Sequence, residues 1–278
     1  MAFAHTEGKR IMEFTEEQLQ RYSRHIILPE VGGRGQAKII NAKVVIIGAG
    51  GLGCPVGYYL TAAGVGTIGL IDNDVVEISN LQRQIAHSVH TIGMLKVESA
   101  EKTFKALNPD VNIIAHKVRI SKDNIIDIIK DYDIVVDGSD NFPTRYLVND
   151  ACVMAKKPLV SGAILKFEGQ VTTIIPGEGH CYRCLFEEPP PAGLVPSCQE
   201  AGVLGVLTGV VGSLQATEVL KLILGKGEPL KNSLLVYDAL KTIFRRVKVP
   251  KNPNCAVCGE KPTITELIDY NEGYCSLP

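Results

Sequence analysis

The chain has 278 residues, 45% of them hydrophobic, so it is long and apolar enough to build one large α/β domain. Its formal net charge of −1 gives no electrostatic reason to expect a nucleic-acid or membrane partner. The first 13 residues contain no apolar signal core, and they predict a flexible tail on a cytoplasmic protein. In that compartment, eight cysteines favour metal binding or reactivity over disulfides.

The N-terminal part predicts two helices before the first strand. Thr15 is a suitable N-cap residue for the first helix. The glutamates that follow it lie in the first turn, where the helix dipole favours negative charge. This first helix carries Arg24 and continues to Leu28, and a second, shorter helix covers residues 36–42.

Residues 43–74 predict a nucleotide-binding unit. Residues 44–47 are an unbroken β-branched run, typical of a strand buried on both faces, and Gly48, Gly50 and Gly53 follow at G-x-G-x-x-G spacing. The helix predicted over residues 52–63 directs its N-terminal amides at an anion. A second apolar strand ends at Asp72, where a carboxylate can bind a ribose hydroxyl. Such glycines also occur in turns without a ligand, but this setting favours a nucleotide site.

The chain then continues the alternation of helices and strands. Residues 74–90 form a long polar loop without a period, and such a loop beside a phosphate site predicts a functional role. The elements predicted next are a helix over 94–107 that carries Lys96, a strand over 111–118, a helix over 121–130 with Ser121 as N-cap, a strand over 133–137 and a helix over 143–156. Asp140 and Asn141 follow the last of these strands, where ligands gather at carboxyl strand ends.

The second half predicts a different arrangement. Residues 159–165 and 169–175 predict a hairpin, residues 233–237 and 243–249 two further strands, and residues 187–198 a proline-rich exposed loop. We therefore expect a doubly wound, Rossmann-like α/β sheet that is mixed: parallel in its N-terminal half and antiparallel in its C-terminal strands, with flanking helices. Polar residues interrupt the apolar run in residues 203–224, which favours a buried helix over a membrane span.

Two C-x-x-C pairs predict a structural zinc site. Cys181 and Cys184 are separated by about seventy residues from Cys255 and Cys258. Each pair can contribute two thiolates, and four thiolates complete a tetrahedral zinc site with no open position for catalysis. The alternatives are a redox-active C-x-x-C pair or unrelated free thiols, and the double occurrence favours zinc.

The remaining cysteines have different predicted roles. Burial is the simplest interpretation for Cys54 and Cys152, and Cys275 lies in a C-terminal tail without an assigned role. Cys198 follows the proline-rich loop, where an exposed thiol can act as a nucleophile if its thiolate is stabilised. An incidental loop cysteine is the alternative for Cys198.

Three cations and one acid predict chemistry at a triphosphate. Arg24, Arg83 and Lys96 come from three different segments, and three positive charges suit the charge of a phosphoryl transition state. Asp140 can hold Mg²⁺, a hard cation that prefers oxygen ligands. A solvated surface charge is the alternative for each cation. His87 and His90 are assigned to loop structure.

Taken in order, these motifs carry a family resemblance. Arg21-Tyr-Ser-Arg24, the glycine motif, Asp72-Asn-Asp74, Ser79-Asn-Leu-Gln-Arg-Gln84, Gly138-Ser-Asp-Asn141 and the two C-x-x-C pairs occur along one chain. The sequence resembles the bacterial ThiF/MoeB/HesA adenylyltransferases, relatives of the ubiquitin-activating E1 enzymes, over residues 14–259. The resemblance implies an enzyme that uses Mg·ATP to adenylate the C-terminal glycine carboxylate of a small ubiquitin-like sulfur carrier.

The resemblance also implies residue roles. Asp72 would hold the ribose, Arg83 and Lys96 would contact the phosphates, and Asp140 would bind Mg²⁺ and orient the α-phosphate. Arg24 would reach the ATP of the neighbouring subunit, which implies a homodimer. Cys198 matches a crossover-loop cysteine that some members use in thioester or acyl-disulfide chemistry and others do not need. The implied nucleotide-binding positions are Gly48, Gly50, Gly51, Gly53, Asp72, Asp74, Asn80, Gln84 and Asn141.

One adenylation domain is expected across residues 1–278. Its parts are a tail (1–13), a nucleotide-binding half (43–157), a mixed-sheet half that binds zinc and the carrier (158–259), and a C-terminal tail (260–278). The expected partners are a ThiS/MoaD-type carrier ending in Gly-Gly and a sulfurtransferase or cysteine desulfurase, in thiamine, molybdopterin or related biosynthesis. The competing functions are an NAD(P)-dependent oxidoreductase, for which no hydride-transfer site is evident, and a non-catalytic nucleotide-dependent scaffold.

Overall fold

Eight strands form one sheet in the computed structural model, which describes residues 14–190 and 202–270. The strands are β1 (Lys43–Ile47), β2 (Thr67–Ile71), β3 (Asn112–His116), β4 (Ile134–Asp137), β5 (Leu159–Leu165), β6 (Glu168–Ile174), β7 (Ser233–Asp238) and β8 (Ile243–Lys248). Their spatial order is β3-β2-β1-β4-β5-β6-β7-β8. Strands β1 to β5 pair in parallel, whereas β6, β7 and β8 pair antiparallel. The predicted mixed sheet is therefore confirmed.

Helices cover the parallel half of the sheet on both faces. In the described ranges they are α1 (Glu16–Arg21), α2 (Ser23–Ile26), α3 (Gly32–Asn41), α4 (Gly53–Ala63), α5 (Lys96–Leu107), α6 (Ile125–Ile129), α7 (Phe142–Met154), α8 (Tyr182–Leu185) and α9 (Gly205–Leu224). Val44 and Ile46 of β1 pack in one core with α4, α5 and α9, and Val45 and Ile47 pack in the other with α6 and α7. This alternation explains why the β1 sequence is apolar without interruption.

The chain reverses direction across the sheet between β1 and β4. The crossovers from β1 lead outward to β2 and β3, and the chain then returns to place β4 on the other side of β1. In open α/β sheets such a reversal leaves a crevice outside the carboxyl ends of the two central strands, where ligands bind. The glycine motif follows β1 at this point, and the Asp140 loop follows β4.

The first predicted helix is divided into two. Thr15 is the N-cap as predicted, accepting a 3.2 Å hydrogen bond from the Gln18 amide, but the helix ends at Arg21. Tyr22 leaves the helical conformation because its ring is buried, with its hydroxyl accepting a 2.9 Å bond from Asn108. Ser121 is likewise not an N-cap, since α6 begins only at Ile125 after a turn.

Helix α9 crosses the core and reaches the crevice. By length and apolarity it is the one helix in the described parts of the chain that could cross a membrane. In the structure it packs against α4, β5 and β6, and it buries Gln215 and Glu218. The Gln215 amide donates to the Asp137 carbonyl at 2.8 Å, and Glu218 accepts from Thr173 and from the Leu230 amide. Its polar residues thus bond to the sheet and to a neighbouring loop.

Candidate functional site

A cavity of about 290 Å³ opens at the carboxyl ends of β1 and β4. Its walls come from the glycine loop, the loop after β2, the long polar loop, the loop after β4, and the start of α9. Ten of the predicted site residues line it: Gly48, Gly50, Gly51, Asp72, Asp74, Arg83, Gln84, Lys96, Asp140 and Asn141. The sequence therefore anticipated most of the polar wall.

The glycine loop needs glycine at both of its ends. Gly48 has a φ of +90°, in the region that other residues rarely adopt. A Cβ atom at Gly53 would lie 1.8 Å from the Gly48 carbonyl oxygen, so the turn closes only without a side chain there. Gly53 begins α4 behind the loop and does not itself line the cavity.

Asp72 links two of the loops that form the cavity. Its carboxylate accepts hydrogen bonds from the amides of Ala49, at 2.9 Å, and Asp74, at 2.8 Å. Burial raises the pKa of Asp72, and the nearby Lys96 ammonium and these two amides oppose that rise. The carboxylate thus joins the glycine loop to the loop after β2 while remaining at the cavity surface.

The cations arrive from the long polar loop and from α5. Lys96, at the start of α5, is 10% exposed and its Nζ lies 2.7 Å from Asp74 Oδ2. Arg83 lines the cavity, and one of its Nη atoms donates to the Ser79 carbonyl at 3.1 Å. Arg83 and Lys96 therefore both face one cavity, which suits a polyphosphate.

The two polar neighbours of Arg83 differ in position. Gln84 is buried beside Gly50, and its Oε1 has no hydrogen-bond partner among the described residues. Asn80 does not line the cavity; its Oδ1 accepts from the Glu77 amide at 3.1 Å and stabilises the loop. Gln84 can therefore bond to a bound ligand directly, whereas Asn80 shapes the loop that carries Arg83.

Asp140 and Asn141 form the wall contributed by β4. Asn141 is the N-cap of α7, accepting from the Thr144 amide at 2.9 Å. Asp140 is exposed to solvent and lines the cavity. A carboxylate at this place offers oxygen atoms to a hard cation.

Arg24 lies on α2, is exposed, and does not line the cavity of its own chain. Its helix is held by its neighbours: Tyr22 is buried, and His25 Nδ1 lies 3.1 Å from Oε1 of the buried Gln36. The residues preceding and following Arg24 thus fix the helix to the core, and the guanidinium points away from that core.

His87 supports the glycine loop from behind. Its Nε2 donates to the Ala49 carbonyl at 2.9 Å, and its Nδ1 lies 2.9 Å from Ser99 Oγ. Burial lowers the pKa of His87, which favours the neutral imidazole. The side chain is directed at backbone rather than into the cavity, as expected of a loop-stabilising histidine.

The four predicted cysteines converge beyond the C-terminal end of β6. Cys181 Sγ lies 3.5 Å from Cys255 Sγ, Cys184 Sγ lies 3.4 Å from Cys258 Sγ, and all four sulfurs are within 4.8 Å of one another. The amide of Asn252 also donates to Cys184 Sγ at 3.4 Å. This cluster could hold a metal ion.

The remaining cysteines divide into two groups. Cys54 and Cys152 are buried as predicted, and burial raises the pKa of the Cys54 thiol to about 12. Cys198 and Cys275 lie outside the described residues.

Several residues at the site were not anticipated from the sequence. Arg145 of α7 and Thr208 of α9 line the cavity, as do the apolar side chains of Val118 and Ile120. Arg145 stands four residues after the N-cap Asn141, a spacing that returns a helical side chain to the same face. That spacing was the available signal for Arg145, whereas Thr208 reaches the site only through the packing of α9.

Fold and cavity together define a nucleotide-binding α/β protein of the Rossmann class. Residues 22–257 match the ThiF family, and the chain belongs to this family. The match spans the glycine loop and three of the four clustered cysteines, Cys181, Cys184 and Cys255.

Relatives agree with that assignment along the chain. A sulfur carrier protein adenylyltransferase from Thermus thermophilus is 54% identical over 271 residues, which cover 96% of this chain and 100% of the relative. A SAMP-activating enzyme E1 from Haloferax volcanii is 53% identical, with 92% and 94% covered. The adenylyltransferase and sulfurtransferase MOCS3 of Sus scrofa is 51% identical over 94% of this chain, which spans 57% of that longer protein.

A solved structure shares the fold. Escherichia coli MccB with ATP has a TM-score of 0.76 and 26% sequence identity, over 86% of this chain and 74% of that one. The same protein with MccA-N7isoASN has a TM-score of 0.77. The similarity extends over most of the chain, so the architecture is that of a protein solved with ATP.

Proposed function

We propose that this protein uses ATP to adenylate the C-terminal glycine carboxylate of a small ubiquitin-like sulfur carrier, with release of pyrophosphate. The observation that carries the proposal is the similarity, over 96% of the chain, to a named sulfur carrier protein adenylyltransferase. The cavity supports it independently, since Arg83 and Lys96 face a glycine loop at the point where the sheet reverses direction.

The reaction requires positioning and charge stabilisation. A carboxylate oxygen of the carrier forms a bond to the α-phosphorus, and the bond from that phosphorus to the bridging oxygen of pyrophosphate breaks. The nucleophile is already ionised at neutral pH, so no general base is needed. Arg83 and Lys96 stabilise the negative charge that accumulates on the phosphoryl oxygens. A site without a Ser-His-Asp arrangement is therefore adequate.

Asp140 is the proposed Mg²⁺ ligand. Its carboxylate is exposed at the cavity, and Mg²⁺ in proteins is commonly held by one or two carboxylates together with substrate phosphates. The donor chemistry thus fits the ion. When bound, Mg²⁺ neutralises phosphate charge and helps the pyrophosphate to leave.

The antiparallel part of the sheet is the proposed carrier-binding face. On the side away from α9, Ile243 and Val247 of β8 are 45% and 48% exposed, and Phe167 at the hairpin tip is 41% exposed. Exposed apolar groups of this kind favour a protein partner. The antiparallel strands continue the sheet from β5, whose Ile164, on the face that packs against α9, lines the cavity.

Adenylation of a carrier is tested directly by incubating the protein with Mg·ATP and carriers of ThiS or MoaD type. The expected result is carrier-dependent ATP–pyrophosphate exchange, with an acyl-adenylate detected by intact mass. A carrier that lacks its last glycine is the matched control. Exchange that is absent with every carrier, or reduction of NAD⁺ with candidate substrates, would contradict the proposal.

The cysteine cluster is proposed to hold one structural zinc ion through Cys181, Cys184, Cys255 and Cys258. Tetrahedral zinc with sulfur ligands at about 2.3 Å separates the sulfurs by about 3.8 Å, close to the observed packing of the four thiols. Four thiolates leave no position for substrate, so the ion would join the α8 segment to residues 252–259.

A homodimer is proposed in which Arg24 serves the site of the neighbouring subunit. The exposure of Arg24 and its absence from the cavity of its own chain support this arrangement. Mixing Arg24→Ala with Asp140→Ala subunits should restore activity, because one site in each heterodimer carries both wild-type groups. With random exchange, about a quarter of all sites are complete, so we expect about 25% of wild-type exchange activity.

The control for this experiment pairs two variants of the same cavity. Lys96→Ala and Asp140→Ala subunits should not complement each other, because both side chains line one cavity of one chain. Recovery only in the Arg24 mixture would support action between subunits. No recovery after subunit exchange has been verified would show that Arg24 does not act across the dimer.

Cys198 is predicted to be dispensable for adenylation and to act, if at all, in later sulfur transfer. Attack on the α-phosphorus uses the carrier carboxylate, and a thiol contributes nothing to that step. Cys198→Ala should therefore keep pyrophosphate exchange within about threefold of wild type. Carrier thiocarboxylate formation with a sulfur donor is measured in the same variant. Loss of pyrophosphate exchange would refute the dispensability of Cys198 for adenylation. A full thiocarboxylate yield would leave Cys198 without a role in sulfur transfer.

The proposed pathway is sulfur transfer through the carrier in thiamine, molybdopterin or related biosynthesis, in the cytoplasm. The similarity to MOCS3 supports a molybdopterin-type carrier, and thiamine biosynthesis is the other pathway expected from the sequence. The sulfur would come from a separate sulfurtransferase or cysteine desulfurase. Comparing adenylation rates for a ThiS-type carrier, a MoaD-type carrier and carriers of related pathways identifies the preferred one.

A further inference from the structure

A buried ion pair lies directly behind the loop that presents Asp140 to the cavity. Asp137 ends β4 and Arg145 lies in α7, and their side chains are 1% and 7% exposed. One Nη atom of Arg145 lies 3.4 Å from Asp137 Oδ2, which also accepts a 3.1 Å bond from Ser161 Oγ. A single uncompensated charge at this depth is costly, so each member of the pair depends on the other.

The pair fixes the backbone on the N-terminal side of Asp140. Asp137 Oδ1 accepts from the Ser139 amide at 2.9 Å and from its hydroxyl at 2.6 Å. Arg145 donates to the Ser139 carbonyl through Nη2 and to the Gly162 carbonyl, at 2.7 Å, through Nη1. Ser139 is therefore held through its amide, its hydroxyl and its carbonyl together.

The C-terminal side of Asp140 is fixed by the start of α7. The Asn141 side chain caps this helix, and its carbonyl accepts from the Arg145 amide at 3.3 Å. Among the described residues, the Asp140 carboxylate itself has a single long contact, 3.5 Å from Asn141 Nδ2. The backbone on both sides of Asp140 is immobilised, while the carboxylate stays open to the cavity.

A second buried Arg–Asp pair provides a comparison. Arg183 and Asp150 are 3% and 1% exposed and 2.9 Å apart, and they join α8 to the C-terminal half of α7. Neither residue lines the cavity, whereas Arg145 does. Each pair is buried and has one member on α7, but only the pair of Arg145 and Asp137 contacts the Asp140 loop.

We propose that Arg145 is a positioning residue for the metal site, acting through Ser139 to hold the Asp140 carboxylate at the cavity. The inference rests on the proposed function, in which Asp140 binds Mg²⁺. Lysine at position 145 would keep a positive charge opposite Asp137, but one ammonium group cannot reproduce the planar fork of the guanidinium. Arg145→Lys should therefore fold and hold the metal ion less tightly.

The test measures equilibrium binding of Mn²⁺, used in place of Mg²⁺, to protein saturated with α,β-methylene ATP. Free Mn²⁺ is followed by electron paramagnetic resonance. In Arg145→Lys the Mn²⁺ dissociation constant should rise by about tenfold or more, as for other groups that orient a metal ligand. Affinity for the nucleotide without metal should stay within about threefold of wild type.

Arg183→Lys is the matched control. It should lower the melting temperature, because it disturbs an equally buried pair, and leave the Mn²⁺ dissociation constant unchanged. An equal rise in both lysine variants would attribute the effect to general destabilisation and overturn the proposal. If Arg145→Lys does not fold, Ser139→Ala is the second variant, because it removes only the hydroxyl bond to Asp137. It should also raise the Mn²⁺ dissociation constant. An unchanged dissociation constant in Ser139→Ala would overturn the proposal.

Asp140→Asn separates this inference from the proposed function. Weakened Mn²⁺ binding in Asp140→Asn, with unchanged binding in Arg145→Lys, would overturn the positioning role alone. Unchanged binding in Asp140→Asn would instead overturn the assignment of Asp140 as the metal ligand.

Discussion

Replacing Asp140 with alanine is expected to abolish ATP–pyrophosphate exchange, a loss of about 10³-fold, while leaving the fold intact. The carboxylate is exposed and makes one long contact within residues 14–190 and 202–270, so its removal leaves no buried group of that part unpaired. What it removes is the carboxylate at the end of β4 that is the proposed ligand of Mg²⁺. The measurements are exchange rate with saturating Mg·ATP and carrier, and the melting temperature of the same sample.

Asp127→Ala is a suitable control for this variant. Asp127 is also an exposed aspartate, but it lies on α6, pairs with Lys130 and does not line the cavity. Exchange should be unchanged in Asp127→Ala and reduced by about 10²-fold in Arg83→Ala and in Lys96→Ala. Near-normal exchange in Asp140→Ala would remove the metal assignment and leave the cations as the main source of catalysis.

Local sequence patterns were sufficient wherever one short segment determines the structure. The apolar run of β1, the glycine spacing after it and the N-cap at Thr15 each depend on neighbours within a few residues. The carboxyl ends of β1, β2 and β4 could then be placed at one edge, because parallel strands share their direction. The polar wall after β2 and β4 followed from this expectation, whereas Arg83, Gln84 and Lys96 reach the cavity from the long polar loop and α5.

Segments whose conformation depends on distant residues were predicted less well. Tyr22 interrupts the first helix because its ring packs against Gly64 and its hydroxyl bonds to Asn108, residues that no local pattern connects. The second helix was predicted over residues 36–42, yet α3 begins at Gly32 and includes the glycines at positions 32, 33 and 35. A Cβ at Gly35 would approach Leu224 of α9 to 2.9 Å, so this part of α3 uses glycine for close packing.

The residues of the cavity also divide into those predicted from local sequence and those that depend on distant contacts. Arg83 and Lys96 were identified because a cation beside a nucleotide motif has an evident use. Arg145 and Thr208 were not identified, because their positions follow from tertiary packing. Arg145 donates a hydrogen bond to Gly162 of β5, and Thr208 lies against Gly51. Side chains that support a site are harder to recognise from sequence than those that contact its ligand, since their partners are distant in the chain.

Removing cysteine ligands of the proposed zinc site is expected to have the largest effect on stability. Residues 252–259 and the segment around α8 meet at the four sulfurs and through Asn252, and α8 has only four residues, too short to be stable alone. Purified protein should contain about one zinc per chain, and Cys255→Ser with Cys258→Ser should lose it. Because a structural zinc ion contributes its binding free energy to folding, the double variant should lose several kcal/mol of stability, or about 10 °C or more in melting temperature.

Loss of a structural ion should destabilise the chain near the cysteines before it affects the cavity, which distinguishes it from loss of a catalytic ion. Arg183, next to Cys184, pairs with Asp150 of α7, whose other end carries the Asn141 cap at the cavity. Partial unfolding at the cysteines should therefore weaken the C-terminal half of α7 first, and amide exchange should rise there before it rises near Asn141. Cys198→Ala, which also removes a thiol but not one of the four, should keep its zinc and its melting temperature. Zinc-free protein as purified, or full stability in the double serine variant, would refute the structural site.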